Sequence, residues 1–161
     1  MSIESPEIHQ PSTATPKELL ASTLFLLARA GMAIKTRTLD ELEKAGFGMY
    51  QYSVLALLGE GDRPTQRLIA SELGLDRSQL VGVLDGLEER GLIMRRRDPD
   101  DRRRHTVSLT PEGKRQLVRI RTMIARLEDS ALKALDGESR QALHAALERI
   151  VVDNDWCGPA R

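Results

Sequence analysis

The stretch Arg90–Gly113, RGLIMRRRDPDDRRRHTVSLTPEG, decides how the rest of this 161-residue chain is interpreted. Its first fifteen residues include seven arginines, six of them in two runs of three separated by the acidic segment 98–101. An apolar pair, Leu92-Ile93, precedes the first run, and the alternating segment 106–109 follows the second. This pattern predicts two short strands joined by a turn. Because guanidinium groups do not favour a core, we expect the hairpin to remain outside it and to contact something anionic.

Two short helices are predicted immediately before the hairpin. Pro64 is expected in the first turn of one helix, which ends at Gly74, and Asp76 is expected to cap the next helix, over 77–90. The second helix has an apolar stripe made of Leu80, Val83, Leu84 and Leu87. A helix, a glycine turn and an amphipathic helix form a helix-turn-helix, and the following hairpin makes it a winged helix.

Apolar residues at helical spacing flank this region on both sides. They predict one long helix from Lys17 to Ala45, a helix of about three heptads that begins at Thr110-Pro111, and a last helix that begins at Glu138 or Ser139. Stripes of this length have no obvious partner within the chain, so we expect a second copy to cover them. The predicted dimerisation residues are Leu20, Leu24, Leu27, Leu117, Ile120, Ile124, Leu127, Leu143, Leu147 and Ile150.

Composition limits the possible functions. Aromatic residues make up 3% of the chain, which argues against a stacking platform for single-stranded nucleic acid, and the formal net charge is zero, so cationic contacts must come from local clusters. The single cysteine, Cys157, excludes a disulfide framework. With no apolar run of membrane-spanning length, the sequence predicts a cytoplasmic protein that has no membrane partner. The spacing of Asp98 and Asp100 resembles a calcium loop, but the required glycine and closing glutamate are absent, so we expect no metal site and no cofactor.

The wing pattern Asp-x-Arg-x3-Val-x-Leu-Thr-x2-Gly is complete in this sequence. It is formed by Asp101, Arg103, Val107, Leu109, Thr110 and Gly113. With the segment LGLDRSQLVGVLDGLEERGLIMRRRDPDD and the order of the helices, it makes the chain resemble the MarR family of bacterial transcriptional regulators over roughly residues 17–152. The resemblance implies a mainly α fold with a small β-hairpin wing, that is, a winged helix-turn-helix with helical dimerisation arms from both termini. The corresponding organisation is a disordered arm (1–15), dimerisation helices (16–46 and 111–152), a winged-helix DNA-binding domain (47–110) and a tail (153–161).

Two groups of residues are predicted to contact double-stranded DNA. In the recognition helix they are Arg77, Ser78 and Gln79, near its N-terminus, where base edges of the major groove would lie. In the wing they are Arg95, Arg96, Arg97, Asp101, Arg102, Arg103 and Arg104. The resemblance assigns insertion into the minor groove to Arg103, held by Asp101, and leaves phosphate contacts to the other arginines. Where many family members carry a hydroxyl and a basic residue in mid-helix, this chain has Val81-Gly82, which predicts few direct base contacts there.

The sequence also suggests how DNA binding is regulated. The resemblance implies a small aromatic or lipophilic effector, for which Met32, Met49, Tyr50 and Tyr52 are candidate contacts. The resulting hypothesis is a homodimeric, ligand-responsive repressor of a pseudo-palindromic operator, without enzymatic activity. Two alternatives share most features: an architectural or silencing DNA-binding protein without an effector, and a helical protein-interaction module whose wing binds an acidic partner.

Overall fold

The computed structural model describes residues 15–61, 64–97 and 105–154. The chain divides into two units, Met1–Lys35 and Thr36–Arg161. The elements within the described ranges are α1 (Lys17–Leu20), α2 (Thr23–Lys44), α3 (Met49–Leu58), α4 (Gln66–Leu73), α5 (Arg77–Glu89), β1 (Ile93–Arg97), β2 (His105–Leu109), α6 (Pro111–Ala131) and α7 (Gly137–Asp153). None of these helices is long and apolar enough to cross a membrane.

The predicted single helix from Lys17 to Ala45 is wrong, because the chain breaks it near Ser22. The hydroxyl of Ser22 accepts a hydrogen bond from the backbone N–H of Phe25 at 3.2 Å, and this bond stabilises the start of a new helix, α2. Leu24, in the first turn of α2, is 77% exposed, and Leu20 is also exposed. Their exposure agrees with the predicted role in dimerisation, which remains a prediction.

Helices α3, α4 and α5, the β-hairpin and the first half of α6 enclose one core in the second unit. The core also includes Leu42 from α2, so it extends beyond the predicted 47–110 boundary on both sides. Leu117 and Ile120 of α6 are buried in it, and α6 packs against α3. The prediction that these two residues belong to a dimer interface is therefore wrong, since the chain itself covers them.

The rest of the predicted C-terminal stripe is less buried. Ile124 packs partly against the core, Ile150 is exposed, and the other positions are half-buried: Leu127, Leu143 and Leu147. The last helix begins earlier than predicted, at Gly137, because the carboxylate of Asp136 accepts a hydrogen bond from the backbone N–H of Ser139 at 2.8 Å. These half-buried and exposed residues are the ones that stay candidates for pairing with a second copy.

The start of α4 also differs from the prediction. Thr65 is the N-cap, and its hydroxyl accepts a hydrogen bond from the backbone N–H of Leu68 at 3.3 Å. Pro64 therefore precedes the cap instead of occupying the first turn. Its carbonyl accepts a hydrogen bond from the backbone N–H of Val107 at 3.1 Å, which joins the helix-turn-helix to β2.

The two wing strands pair antiparallel, with Ile93 opposite Leu109 and Arg97 opposite His105. At the base of the hairpin, Ile93 and Val107 are buried in the core. The expectation that the hairpin would remain outside the core is thus wrong for its base. These two residues, one at the start of β1 and one in the middle of β2, anchor the hairpin to the domain.

The segment Thr110–Gly113 fastens the start of α6 to the start of β1. The Thr110 hydroxyl donates to the carbonyl of Gly91 at 2.6 Å and accepts from the backbone N–H of Gly113 at 3.0 Å. The backbone N–H of Thr110 donates to the carbonyl of Leu92 at 3.0 Å. Gly113 lies so close to that carbonyl that a Cβ atom would overlap it. This contact explains why a glycine ends the wing pattern.

Candidate nucleic-acid interface

Asp76 is the N-cap of α5, as the sequence predicted, and it forms a capping box with Gln79. The Asp76 carboxylate accepts from the backbone N–H of Gln79 at 2.8 Å, and the Gln79 side-chain carbonyl accepts from the backbone N–H of Asp76 at 3.2 Å. Ser78 donates its hydroxyl to the same carboxylate at 2.7 Å. These hydrogen bonds, led by that from the Gln79 N–H, lower the pKa of Asp76. The helix N-terminus is consequently well defined while its side chains remain exposed.

The face of α5 that points away from the core carries the predicted DNA contacts. The structure brings Arg77, Ser78 and Gln79 together on the exposed first turn. The exposed positions further along are Val81, Gly82, Asp85 and Glu89. Both of these carboxylates lie in the C-terminal half, so on this face the N-terminal half of the helix carries no acidic side chain beyond the Asp76 cap. An anionic ligand such as DNA would be accommodated at that half.

Arg95, on β1, binds two carboxylates of α5. Its Nε and Nη2 atoms donate to Oε2 of Glu88 at 2.9 and 2.5 Å, and Nη2 also lies 2.7 Å from Oδ1 of Asp85. The backbone N–H of Arg95 donates to Oε1 of Glu88 at 3.1 Å, and the Arg95 side chain is only 23% exposed. Arg95 thus fixes the wing to the recognition helix, and its charge is used within the protein. The prediction that Arg95 mainly contacts phosphate does not agree with this arrangement.

These Arg95 ion pairs make stability depend on acid pH. The Arg95 guanidinium, by its hydrogen bond to Glu88, lowers the pKa of that carboxyl below its ordinary value of 4.5. A depressed folded-state pKa contributes stability that is complete above the unfolded-state pKa and is lost as the pH falls through the folded-state value. We therefore expect the difference in melting temperature between the wild type and Glu88→Gln to shrink between pH 6 and pH 3, followed by circular dichroism. A difference that stays constant over this range would contradict the assignment.

The other wing arginines divide into two groups. Arg96 and Arg97 are exposed on β1, and the pairing of Arg97 with His105 puts them toward the open end of the hairpin. The remaining predicted wing contacts lie outside the described residues: Asp101, Arg102, Arg103 and Arg104. The described part of the wing therefore presents two arginines, next to the recognition helix that Arg95 holds in place.

Arg90 has a role that the sequence did not reveal. Its Nη1 donates to the carbonyl of Gly46 at 2.8 Å, and its guanidinium lies 4.0 Å from the centre of the Phe47 ring. The end of α5 is thereby connected to the segment between α2 and α3. Only the density of arginines marked this residue in the sequence, and that signal suggested a contact with an outside anion instead.

The four predicted effector contacts are divided between the two units of the chain. Met32 belongs to the first unit, and the other three residues belong to the second. Within the second unit, Met49 and Tyr52 both pack against the core. Met49 also lines a shallow recess of about 470 Å³ with Phe47, and Tyr50 is 51% exposed. A second groove, of about 480 Å³, was not anticipated. It is lined by Glu41, Val118, Arg119, Thr122, Met123, Arg126 and Leu127.

Comparison with known proteins places this architecture in a family. The model of the MarR family matches residues 49–105, which include α3, α4, α5 and β1. A MarR-family transcriptional regulator from Rhodococcus sp. RHA1 is 31% identical, and the match covers 86% of this chain and 96% of that one with a TM-score of 0.67. The chain belongs to the MarR family. It is a MarR-family transcriptional regulator with the winged-helix architecture that its sequence predicted.

Two further solved structures are similar to this MarR-family chain. The transcriptional repressor CouR bound to a 23-mer DNA duplex is 35% identical, with 87% of this chain and 99% of that chain covered and a TM-score of 0.73. CouR from Rhodococcus jostii RHA1 bound to p-coumaroyl-CoA is 32% identical, with 82% and 93% covered and a TM-score of 0.66. The similarity extends over almost the whole of each CouR chain.

Proposed function

We propose that this MarR-family protein is a cytoplasmic, homodimeric, ligand-responsive repressor that binds a pseudo-palindromic operator and catalyses no reaction. The proposal rests on one observation. Arg95 holds the recognition helix, whose first turn is capped and exposed, against a hairpin that presents Arg96 and Arg97. A helix for the major groove and a basic hairpin beside it are the two contacts that a winged helix makes with duplex DNA. The similarity to CouR, solved with a DNA duplex, supports the same conclusion.

Each predicted contact has a place in this proposal. Arg77 reaches base edges or phosphate from the first turn of α5, while Ser78 and Gln79 must share their polar atoms with the cap. The exposed wing arginines, with Arg102 and Arg104 from the sequence, contact phosphates and supply salt-dependent affinity. By resemblance to the family, Arg103 enters the minor groove and Asp101 holds it. Arg95 acts indirectly, by positioning the wing.

The dimer follows from the helices outside the core. Exposed and half-buried apolar residues of α2, α6 and α7 are covered by a second copy, and Leu24 illustrates the need, since 77% of it is exposed in the single chain. Two-fold symmetry then places two recognition helices about one DNA turn, roughly 34 Å, apart. The operator should therefore have two half-sites with that spacing.

Regulation requires a ligand that distinguishes two arrangements of the dimer. A ligand shifts this equilibrium only by its different affinities for the two states, so an effector that favours another helix spacing releases DNA. CouR, similar in sequence and fold, was solved with p-coumaroyl-CoA, which supports an aromatic or lipophilic effector here. Of the predicted contacts, Met49 lines a recess of the second unit, and Met32, Tyr50 and Tyr52 remain proposed contacts.

The direct test is selection of duplexes from a random pool by the purified full-length protein at low salt. We expect enrichment of a two-fold symmetric motif that binds one dimer, measured by sequencing and by sedimentation of the complex. Aromatic carboxylates and their coenzyme A thioesters should then raise the melting temperature of the protein and release the selected duplex. Failure to enrich any motif would overturn the DNA-binding repressor, and enrichment without release by any such compound would favour the effector-independent alternative.

A further inference from the structure

The polar side chains of the first turn of α5 are already engaged within the protein. Ser78 donates its hydroxyl to Asp76 at 2.7 Å, and the side-chain oxygen of Gln79 accepts from the backbone N–H of Asp76 at 3.2 Å. Bidentate recognition of adenine by glutamine needs both ends of the amide, so it would compete with the capping box. Polar readout of bases by this turn is therefore restricted.

The middle of the same exposed face is apolar. Val81 is a β-branched apolar residue and is 38% exposed. It lies outside the core stripe of this amphipathic helix, which runs through Leu80 and Leu84. Gly82 follows Val81, and among the described residues no atom beyond the adjoining helix lies within 4 Å of the position that a Cβ would occupy there. The recognition helix thus presents one branched apolar side chain beside a strip of bare backbone.

Only one kind of apolar group is displayed in the major groove of unmodified DNA, the C5-methyl of thymine. We infer that Val81 recognises a thymine methyl in each half-site of the operator, and that Gly82 allows the helix backbone to approach the base edges closely enough for this contact. This inference rests on the proposed DNA-binding function and assigns its sequence preference. Arg77 lies one turn before Val81 on the same side of the helix, where its guanidinium can contact a neighbouring phosphate or guanine.

The negative charges of α5 are consistent with this placement. Asp85 follows Val81 by one turn, on the side of the helix that faces the wing, and it lies 2.7 Å from the Arg95 guanidinium, which it shares with Glu88. An unpaired carboxylate at that point would repel the phosphates that flank the groove. With Arg95 in place, the negative charge that DNA meets on that side of Val81 is reduced from two charges to one.

The experiment uses the full-length protein and the duplex obtained by selection. Each thymine of the motif is replaced in turn by deoxyuridine, which removes only the C5-methyl, and the dissociation constant is measured by fluorescence anisotropy. We expect one symmetric pair of thymines to matter, with a loss of about fourfold per half-site, as for one methylene-sized apolar contact. Thymines outside the motif serve as the control and should show no loss.

Two variants assign the contact to this helix. Val81→Ala should abolish the difference between thymine and deoxyuridine at that pair, and Val81→Ile should retain it. Gly82→Ala should raise the melting temperature, because alanine favours a helix and has open space here, and yet weaken binding of the selected duplex by at least fivefold. A merely structural role for Gly82 would not separate these two measurements.

These measurements can contradict the thymine contact without contradicting the DNA-binding function. If the protein enriches a motif but every deoxyuridine substitution is neutral, or if the methyl effect persists in Val81→Ala, the thymine contact is wrong and the DNA-binding function stands. Unchanged DNA affinity in Gly82→Ala would overturn the close approach of the backbone. If no motif is enriched, the proposed function fails first.

Discussion

Replacing Gly113 with alanine is expected to lower the free energy of unfolding by about 3 kcal/mol, a large effect for the addition of one methyl group. The added Cβ would overlap the backbone carbonyl of Leu92. That carbonyl also accepts hydrogen bonds from the backbone N–H of Thr110, at 3.0 Å, and from its hydroxyl, at 3.2 Å. A backbone atom held in this way cannot move aside as a flexible side chain would. The joint between β1 and α6 must open, and buried neighbours such as Ile93 and Leu117 lose part of their packing.

Urea denaturation followed by circular dichroism measures this effect. Gly137→Ala is the matched control, because in the described part of the chain a Cβ at Gly137 would meet no atom beyond its own helix within 4 Å. We expect the control to be neutral or slightly more stable than the wild type, since alanine is the better helix former. Equal stabilities of the two variants would show that the close approach of Gly113 to Leu92 does not constrain the fold.

Arg95→Ala is expected to lower the affinity for the selected duplex about tenfold, which corresponds to about 1.4 kcal/mol of lost preorganisation. The salt dependence of binding should stay unchanged. Arg95 is bound by Glu88 and Asp85, so its loss frees the wing to move relative to α5. An arginine that contacted phosphate would instead contribute about one unit to the slope of log affinity against log salt concentration. The slope therefore separates the positioning role from direct contact.

Two variants complete this test. Arg96→Ala, an exposed neighbour on the same strand, should reduce the salt slope by about one. Glu88→Gln should weaken binding of the selected duplex in spite of removing a negative charge, and its effect should be much less than additive with that of Arg95→Ala. A reduced slope in Arg95→Ala, or tighter binding in Glu88→Gln, would contradict the positioning role.

The local structure of this chain was largely predictable from the sequence, because short-range chemistry determines it. An aspartate or threonine before an amphipathic segment caps a helix, and Asp76 and Thr110 do so as predicted. The apolar pair before the first arginine run and the alternating segment after the second run predicted β1 and β2 correctly. The complete wing pattern predicted the family, and the similarity to solved MarR-family structures confirms it.

The sequence did not determine which other residues each side chain would contact. A heptad stripe gives the apolar face of α6, but not that Leu117 and Ile120 pack inside the chain while later positions do not. The density of arginines in 90–104 predicted contacts with an outside anion, although Arg90 and Arg95 form contacts within the protein. These contacts depend on how elements that are far apart in the sequence are arranged in space. For the same reason the sequence could not show that Met49, Tyr50 and Tyr52 have different surroundings.

The most direct test of a DNA-binding winged-helix dimer is the affinity of the full-length protein for its selected duplex, measured by fluorescence anisotropy across a range of salt concentrations. We expect two chains per duplex and a logarithm of affinity that falls linearly with the logarithm of salt concentration, with a slope that reports several phosphate contacts. Binding should also exceed that of a scrambled duplex by about a thousandfold or more. Equal affinity for the two duplexes, or no binding at low salt, would contradict the account.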